Sequence, residues 1–447
     1  MADYPGNHWP LKAHAPLSGC CPLRPCCEQA VLIKPMLLKS VFTLCCVCLS
    51  GLGLLPSHAA TLPAAKPGAV QAATAPHDRV GVAEARLIEI YRLIARADTR
   101  TALTQAQRLV SEYPNFALAQ LVYGDLLSSR TRPITRFGDV PAAQRQAKAQ
   151  ALDELRAESV ARLKALRERP PAGHVPAEFV LLSRANRHAM AVDASRSRLY
   201  LFENRAQGLT LIDDYYISVG KLGVEKQQEG DQRTPLGVYF ITSQLDPKSL
   251  RDFYGSGALP INYPNMLDLR RGKTGSGIWL HGTPPEQFSR PPQASDGCVV
   301  LANPDLERII KTVAIRSTPV VIASQLTWVT PGEARSRSGA FEARLNAWRK
   351  AKSSGNLAEL NSFYANDVSI GGKTLSNWLP TLEREMAQHR GRELAIKDLS
   401  MLHWQDKDET MVVTFGEVAT GRRTGATKRQ YWLRRAGQWT IFYEGVI

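Results

Sequence analysis

Apolar residues recur at helical spacing from residue 82 to 130: Leu87, Ile88, Tyr91, Leu93 and Ile94, then Leu103, Leu109 and Val110. Steps of three and four place such positions on one face, so this stretch predicts packed helices. Residues 141–169 continue as one further helix, with Leu152, Leu155, Val160, Leu163 and Leu166 on one side, and Pro170-Pro171-Ala172-Gly173 ends it. The pattern then shortens. Residues 189–193 and 198–202 are strand-like runs split by a Ser-Arg-Ser turn, and 209–219, 237–242, 278–281 and 299–301 repeat that texture. Asn303-Pro304-Asp305 predicts a helix start with Asn303 as cap, and residues 320–323, entered through Pro319, a closing strand. Beyond Pro331-Gly332, Phe341, Leu345, Trp348, Leu357, Leu360, Phe363 and Tyr364 mark one or two helices, and residues 378–389 another. Strand-like runs at 411–415, 430–433 and 439–443 follow, and helices before a run of strands indicate an α+β unit. The chain reads as multi-domain: an α-helical N-terminal module at 81–172, a mostly-β domain at 178–325 and an α+β domain at 338–447.

The start of the chain has a different character. Residues 41–55 are an apolar run preceded by Lys34 and Lys39 and followed by Ser57-His58-Ala59, the layout of a secretory signal peptide. The run is short for a bilayer span, although a retained anchor is the alternative. Residues 1–59 are assigned to this signal region, with Met36 as an alternative true start, and the Ala/Pro-rich stretch 60–80 to a flexible linker. The expected location is the periplasm or cell envelope, with membrane contact only through the transient signal segment. Cleavage after Ala59 removes four cations and two acids and lowers the net charge from +15 to +13. That basicity suits a polyanionic envelope polymer, or solubility alone. No basic run interleaved with aromatics, zinc-finger spacing or recognition helix is present, so nucleic acid is not an expected partner.

Of eight cysteines, seven lie within the first fifty residues and one, Cys298, stands in Ser295-Asp296-Gly297-Cys298-Val299-Val300-Leu301. A lone thiol in an exported chain has no disulfide partner and asks for a chemical reason. His281-Gly282 lies seventeen positions earlier, at the end of the run Ile278-Trp279-Leu280. An imidazole beside a thiol lowers its pKa and later hands a proton to a leaving amine. Gly282 offers a carbonyl to hold the ring in one tautomer, and the Gly297 and Cys298 amides are candidates to face an oxyanion. The plainer reading makes Cys298 a small buried apolar residue and His281 a strand-end histidine. No metal-spaced cluster is visible and no cofactor is expected.

The residues around the thiol resemble the YkuD-type L,D-transpeptidase family, whose signature is His-Gly, a loop of this length, then Ser/Thr-x-Gly-Cys; here these are His281-Gly282, Ser295, Gly297 and Cys298. Thr234-Pro235-Leu236-Gly237 resembles the family's Thr-Pro-x-Gly strand entry, and the 191–201 region its first hairpin. The resemblance implies a mostly-β catalytic domain in which Cys298 attacks the meso-diaminopimelate carbonyl of a peptidoglycan tetrapeptide and expels D-alanine. His281 would move the proton, oriented by the Gly282 carbonyl. The acyl acceptor stays open among water, a stem-peptide amine and a lipoprotein, and a non-catalytic wall-binding scaffold is the alternative of another class. Many members carry arginine two residues after the cysteine; here that residue is Val300. The last domain resembles the nuclear-transport-factor-2-like and SnoaL-like superfamily, and with the central domain the layout resembles cell-shape L,D-carboxypeptidases. Trp432, Trp439, Phe442 and Tyr443 are candidates for a pocket there, or for core packing. Residues 106–126 resemble a tetratricopeptide-type helix pair. Peptidoglycan stem peptides are the expected partner, and the helical module is a candidate surface for a homodimer or an envelope protein.

Overall fold

The computed structural model describes residues 81–388 and 392–447; the signal-peptide and linker assignments, and His389, lie outside them. Among the described residues, no helix is long and apolar enough to cross a membrane.

Three helices, α1 (Val82–Ala95), α2 (Thr99–Glu112) and α3 (Ala117–Ser128), pack in succession and are followed by α4 (Ala149–Arg167). Leu87, Ile90, Ala102, Ala106, Leu109, Phe116, Leu118 and Val122 form their shared core. The predicted single helix over 141–169 is instead two, a short one at Ala142–Ala147 and α4, broken at Lys148. Its buried face also differs from the predicted one. Val160 is 65% exposed, whereas Glu158, Ser159 and Arg162 are buried because they form ion pairs and hydrogen bonds under the helix.

The central sheet contains β1 (His188–Asp193), β2 (Arg198–Arg205), β3 (Gly208–Gly220), β4 (Gly237–Phe240), β5 (Ala258–Pro260), β6 (Trp279–His281), β7 (Gln293–Ser295), β8 (Val299–Leu301) and β9 (Pro319–Ala323). Its order is β4-β9-β1-β2-β3-β8-β6-β5, with β7 pairing β3. β8 runs antiparallel to β3 and parallel to β6, which aligns Val300 with His281. Met190, Leu201, Ile217, Leu280, Val299 and Ile322 pack beneath it with Leu306 and Ile309 from α5 (Asn303–Thr312). Period-2 alternation is lost in β1 and β8 because both faces are covered.

The C-terminal part places α6 (Gly339–Ser354) and α7 (Leu375–Gln388) against a sheet ordered β10 (Tyr364–Ile370), β14 (Gln438–Val446), β13 (Ala426–Arg435), β12 (Glu409–Ala419), β11 (Leu394–Gln405). Phe341, Leu345 and Trp348, on one face of α6, bury against Phe415, Trp432 and Ile441. Tyr364, expected in a helix, opens β10. The strand Phe179–Leu181 pairs with β11, so backbone bonding joins the segment before β1 to the C-terminal sheet.

Candidate active site

The thiol sits on a tight turn entering β8. Gly297 has φ +126°, and a Cβ there would lie 2.8 Å from the Arg233 carbonyl, so only glycine fits. Ser295 staples the turn: its Oγ donates to the Cys298 carbonyl at 2.6 Å and accepts from the Gly297 amide at 3.1 Å. Thr234 pins it from below, donating to the Gly297 carbonyl at 2.9 Å while accepting from the Gly220 amide at 2.9 Å. The Thr-Pro element therefore reaches the nucleophile turn through a fully buried hydroxyl. The Gly297 amide, expected to face an oxyanion, is instead spent on Ser295 Oγ. The Cys298 Sγ receives the Trp279 amide at 3.4 Å and faces the Gly277 carbonyl at 3.5 Å.

His281 ends β6, with Nδ1 2.7 Å from the Gly282 carbonyl. Nδ1–H donates there, which leaves the Nε2 lone pair as the available base. The ring is 1% exposed and meets Tyr254 edge-on, with centroids 5.1 Å apart. Asn303 fixes the chain beyond the histidine. Its Oδ1 accepts from the Ser256 and Thr283 amides at 3.0 and 3.1 Å, and its Nδ2 donates to the Thr283 carbonyl at 2.8 Å. A Cβ on Gly282 would collide with Asn303 Oδ1. Asn303 is thus not the predicted cap: it is the first residue of the helix, Ala302 holds the cap position without a polar side chain, and the Asn303 amide is engaged by two loops.

Cys298, His281 and Ser295 line one cavity of about 180 Å³ together with Lys226, Phe253, Tyr254 and Arg290. Lys226 is buried and tied to Asp231 at 2.8 Å, whose carboxylate also accepts the Gln227, Gln228 and Arg233 amides. Those bonds hold Asp231 down at about 2, against its own desolvation. Burial pushes the Cys298 thiol up to about 11, only partly offset by the Trp279 amide and the Arg290 and Lys226 charges. Burial likewise holds His281 down to about 4 despite its bond to Gly282, with Arg290 adding to the effect. The expected lowering of the thiol pKa is not found, since desolvation outweighs the nearby cations. Sequence reasoning missed Tyr254, Arg290 and the role of Asn303. The only signal for Arg290 was its place beside Pro291-Pro292 in a stiff loop.

The YkuD family model, the L,D-transpeptidase catalytic domain, matches residues 187–322. The central domain is a YkuD domain. This domain family comprises cysteine-based enzymes acting on peptidoglycan, and the chain carries an L,D-transpeptidase-family domain. Residues 340–445 match the Cds6 C-terminal NTF2-like domain. Among solved structures, Bd1075 of Bdellovibrio bacteriovorus is 23% identical with a TM-score of 0.52, covering 61% of this chain and 98% of its own. The helical cell shape determining protein Pgp2 from Campylobacter jejuni is 19% identical with a TM-score of 0.47, over 64% of this chain and 98% of that one. An NTF2-like protein from Pseudomonas putida covers 25% of this chain and 85% of its own at 14% identity and a TM-score of 0.21. No protein of curated function matches the chain.

The NTF2-like domain has a cavity of about 230 Å³ lined by Trp378, Lys428 and Glu444 among others. Trp432, Trp439 and Phe442 are buried in the cores and do not line it. Among the described residues, no group of three or more His, Cys, Asp or Glu is arranged to hold a metal ion.

Proposed function

We propose that the protein cleaves the meso-diaminopimelate–D-alanine bond of peptidoglycan tetrapeptides in the cell envelope through a Cys298 acyl-enzyme. The observation that carries this reading is the shared cavity lined by both Cys298 and His281, with His281 Nδ1 fixed on the Gly282 carbonyl. His281 Nε2 takes the thiol proton as sulfur adds to the carbonyl carbon. The tetrahedral species then collapses, the C–N bond breaks, and the imidazolium gives that proton to the departing amine of D-alanine. A thioester remains. Water attacks it, passing one proton to His281, which returns it to sulfur as the tripeptide carboxylic acid leaves. Gly282, Ser295 and Gly297 serve as positioning residues around this pair.

Water is the acceptor in this reading; a stem-peptide amine or a lipoprotein would take the same thioester in its place. The test is incubation with disaccharide-tetrapeptide, read by mass spectrometry, beside Cys298→Ala. Loss of D-alanine alone supports hydrolysis. A crosslinked dimer replaces the hydrolytic step by transpeptidation, and no change with either protein supports a wall-binding scaffold.

A further inference from the structure

The position two residues beyond the thiol is Val300, buried at 2% exposure and aligned with His281. Strand alternation puts residue 300 on the same side as Cys298. The cavity nevertheless holds a guanidinium from elsewhere in the chain. Arg290 lines it, is 8% exposed, and lies over the Phe253 ring at 4.4 Å. Its backbone is fixed as well, with its carbonyl accepting from Tyr216 OH at 2.9 Å. Other buried arginines of this region have acids to match. Arg162 pairs with Glu84 and Glu158, and Arg198 with Glu84 and Asp214. No described carboxylate lies within 4.0 Å of the Arg290 guanidinium; Asp296, which lines the same cavity, acts on it from beyond that distance and is itself bonded to Lys221 at 2.9 Å. A buried cation with no acid in contact has room for a carboxylate from a ligand to pair with it.

The loop that carries Arg290 is held by the helical module. Asn115 Nδ2 donates to the Pro285 carbonyl at 2.8 Å, and the Asn115 carbonyl accepts from the Phe288 amide at 3.1 Å. Phe288 stacks on Phe116 with centroids 4.2 Å apart, and Ser289 Oγ donates to Glu158 at 2.7 Å. The loop backbone that carries the guanidinium is therefore held in place before substrate arrives.

We propose that Arg290 is a specificity-determining residue that receives a carboxylate of the stem peptide. This rests on the acyl-transfer reading above. A tetrapeptide offers two such groups, the C-terminal carboxylate of D-alanine and the free carboxylate of diaminopimelate, and a planar guanidinium takes either in a bidentate pair.

Three synthetic tetrapeptides separate them: unmodified, C-terminally amidated, and amidated on the diaminopimelate carboxylate. Release of D-alanine or its amide gives kcat/KM for the wild type, Arg290→Gln and Arg290→Lys. Calorimetry with the same peptides on Cys298→Ala, with and without Arg290→Gln, reads binding without turnover. The wild type is expected to lose about tenfold or more on one amidated peptide, the size of one charged hydrogen-bonded contact. Arg290→Gln should lose as much on the unmodified peptide and become indifferent to that amidation, which identifies the carboxylate; Arg290→Lys should fall between. Equal losses on all three peptides, or none on any, would overturn the assignment and leave the arginine to the sulfur or to the fold. A wild type that binds with this pattern but releases no D-alanine overturns the acyl-transfer reading while sustaining the role of Arg290.

Discussion

Carrying the protein through a pH series separates two resting states of Cys298 and His281. With the thiol raised from 9.0 to about 11, its ionised fraction at pH 7 is about one in ten thousand, against about one in a hundred for the ordinary group. With His281 lowered from 6.5 to about 4, the imidazole is almost wholly neutral at the same pH. Attack then requires the proton to leave sulfur during addition, with Nε2 receiving it. The value of kcat/KM should rise as pH climbs through about 4 and stay level well past pH 9. A preformed thiolate–imidazolium pair would instead lose its acid near pH ~8–9 and give an alkaline fall. Alkylation of Cys298 by iodoacetamide gives the thiol directly, and its rate should still be rising about tenfold per pH unit at pH 9. A rate already level below pH 8 would refute the reasoning, because desolvation would not be the dominant influence on the sulfur. Stability carries the same signs. The unfolded chain binds more protons at residue 281 between pH about 4 and 6.5, so His281 stabilisation is lost as pH falls through that window. The folded thiol keeps its proton between 9.0 and about 11, so stability falls as pH rises there.

Thr234→Val preserves shape but removes the hydroxyl between the Gly220 amide and the Gly297 carbonyl, and should cost about 2–3 kcal/mol in chemical denaturation and lower kcat. Asn303→Ala frees two amides and one carbonyl around the His281-Gly282-Thr283 turn; a loss of about 2–3 kcal/mol is expected, with kcat reduced more than KM is raised. Asn303→Asp, which keeps the acceptor for both amides, should recover part of each in the same assays. Glu84→Gln leaves Arg162 and Arg198 short of a shared buried acid and should cost about 3–5 kcal/mol, read as a lower urea midpoint.

Residue type and spacing made Cys298, His281 and the glycines around them visible in the sequence, because each motif position carries a local demand. Gly297 must adopt a positive φ, and Gly282 must leave room for Asn303. What escaped notice depends on partners far along the chain. Asn303-Pro304-Asp305 has the composition of a helix start, and a helix does start there, but the amide bonds of Ser256 and Thr283 outbid the cap. The face of α4 was misread because its buried residues include Glu158 and Arg162, whose pairing inverts the rule that apolar positions mark the inside. A histidine beside a thiol suggested a lowered pKa, yet the decisive quantity is burial, which spacing does not encode.

The helical module shows how such distant partners set the chemistry. The sequence marks it as a candidate surface for a homodimer or an envelope protein. Yet Phe116, between α2 and α3, spends its ring on Phe288, and Glu158 in α4 holds Ser289, both in the loop that leads to Arg290. Arg162 extends the link, stacking over Tyr216 at 3.9 Å while the Tyr216 hydroxyl holds the Arg290 carbonyl. The 283–292 loop contains four prolines and few backbone donors of its own, so it relies on outside contacts to hold one shape. The loop that carries Arg290 is therefore supported by helices that contribute no residue to the cavity lining, whereas the Cys298 turn is held separately by Ser295 and Thr234.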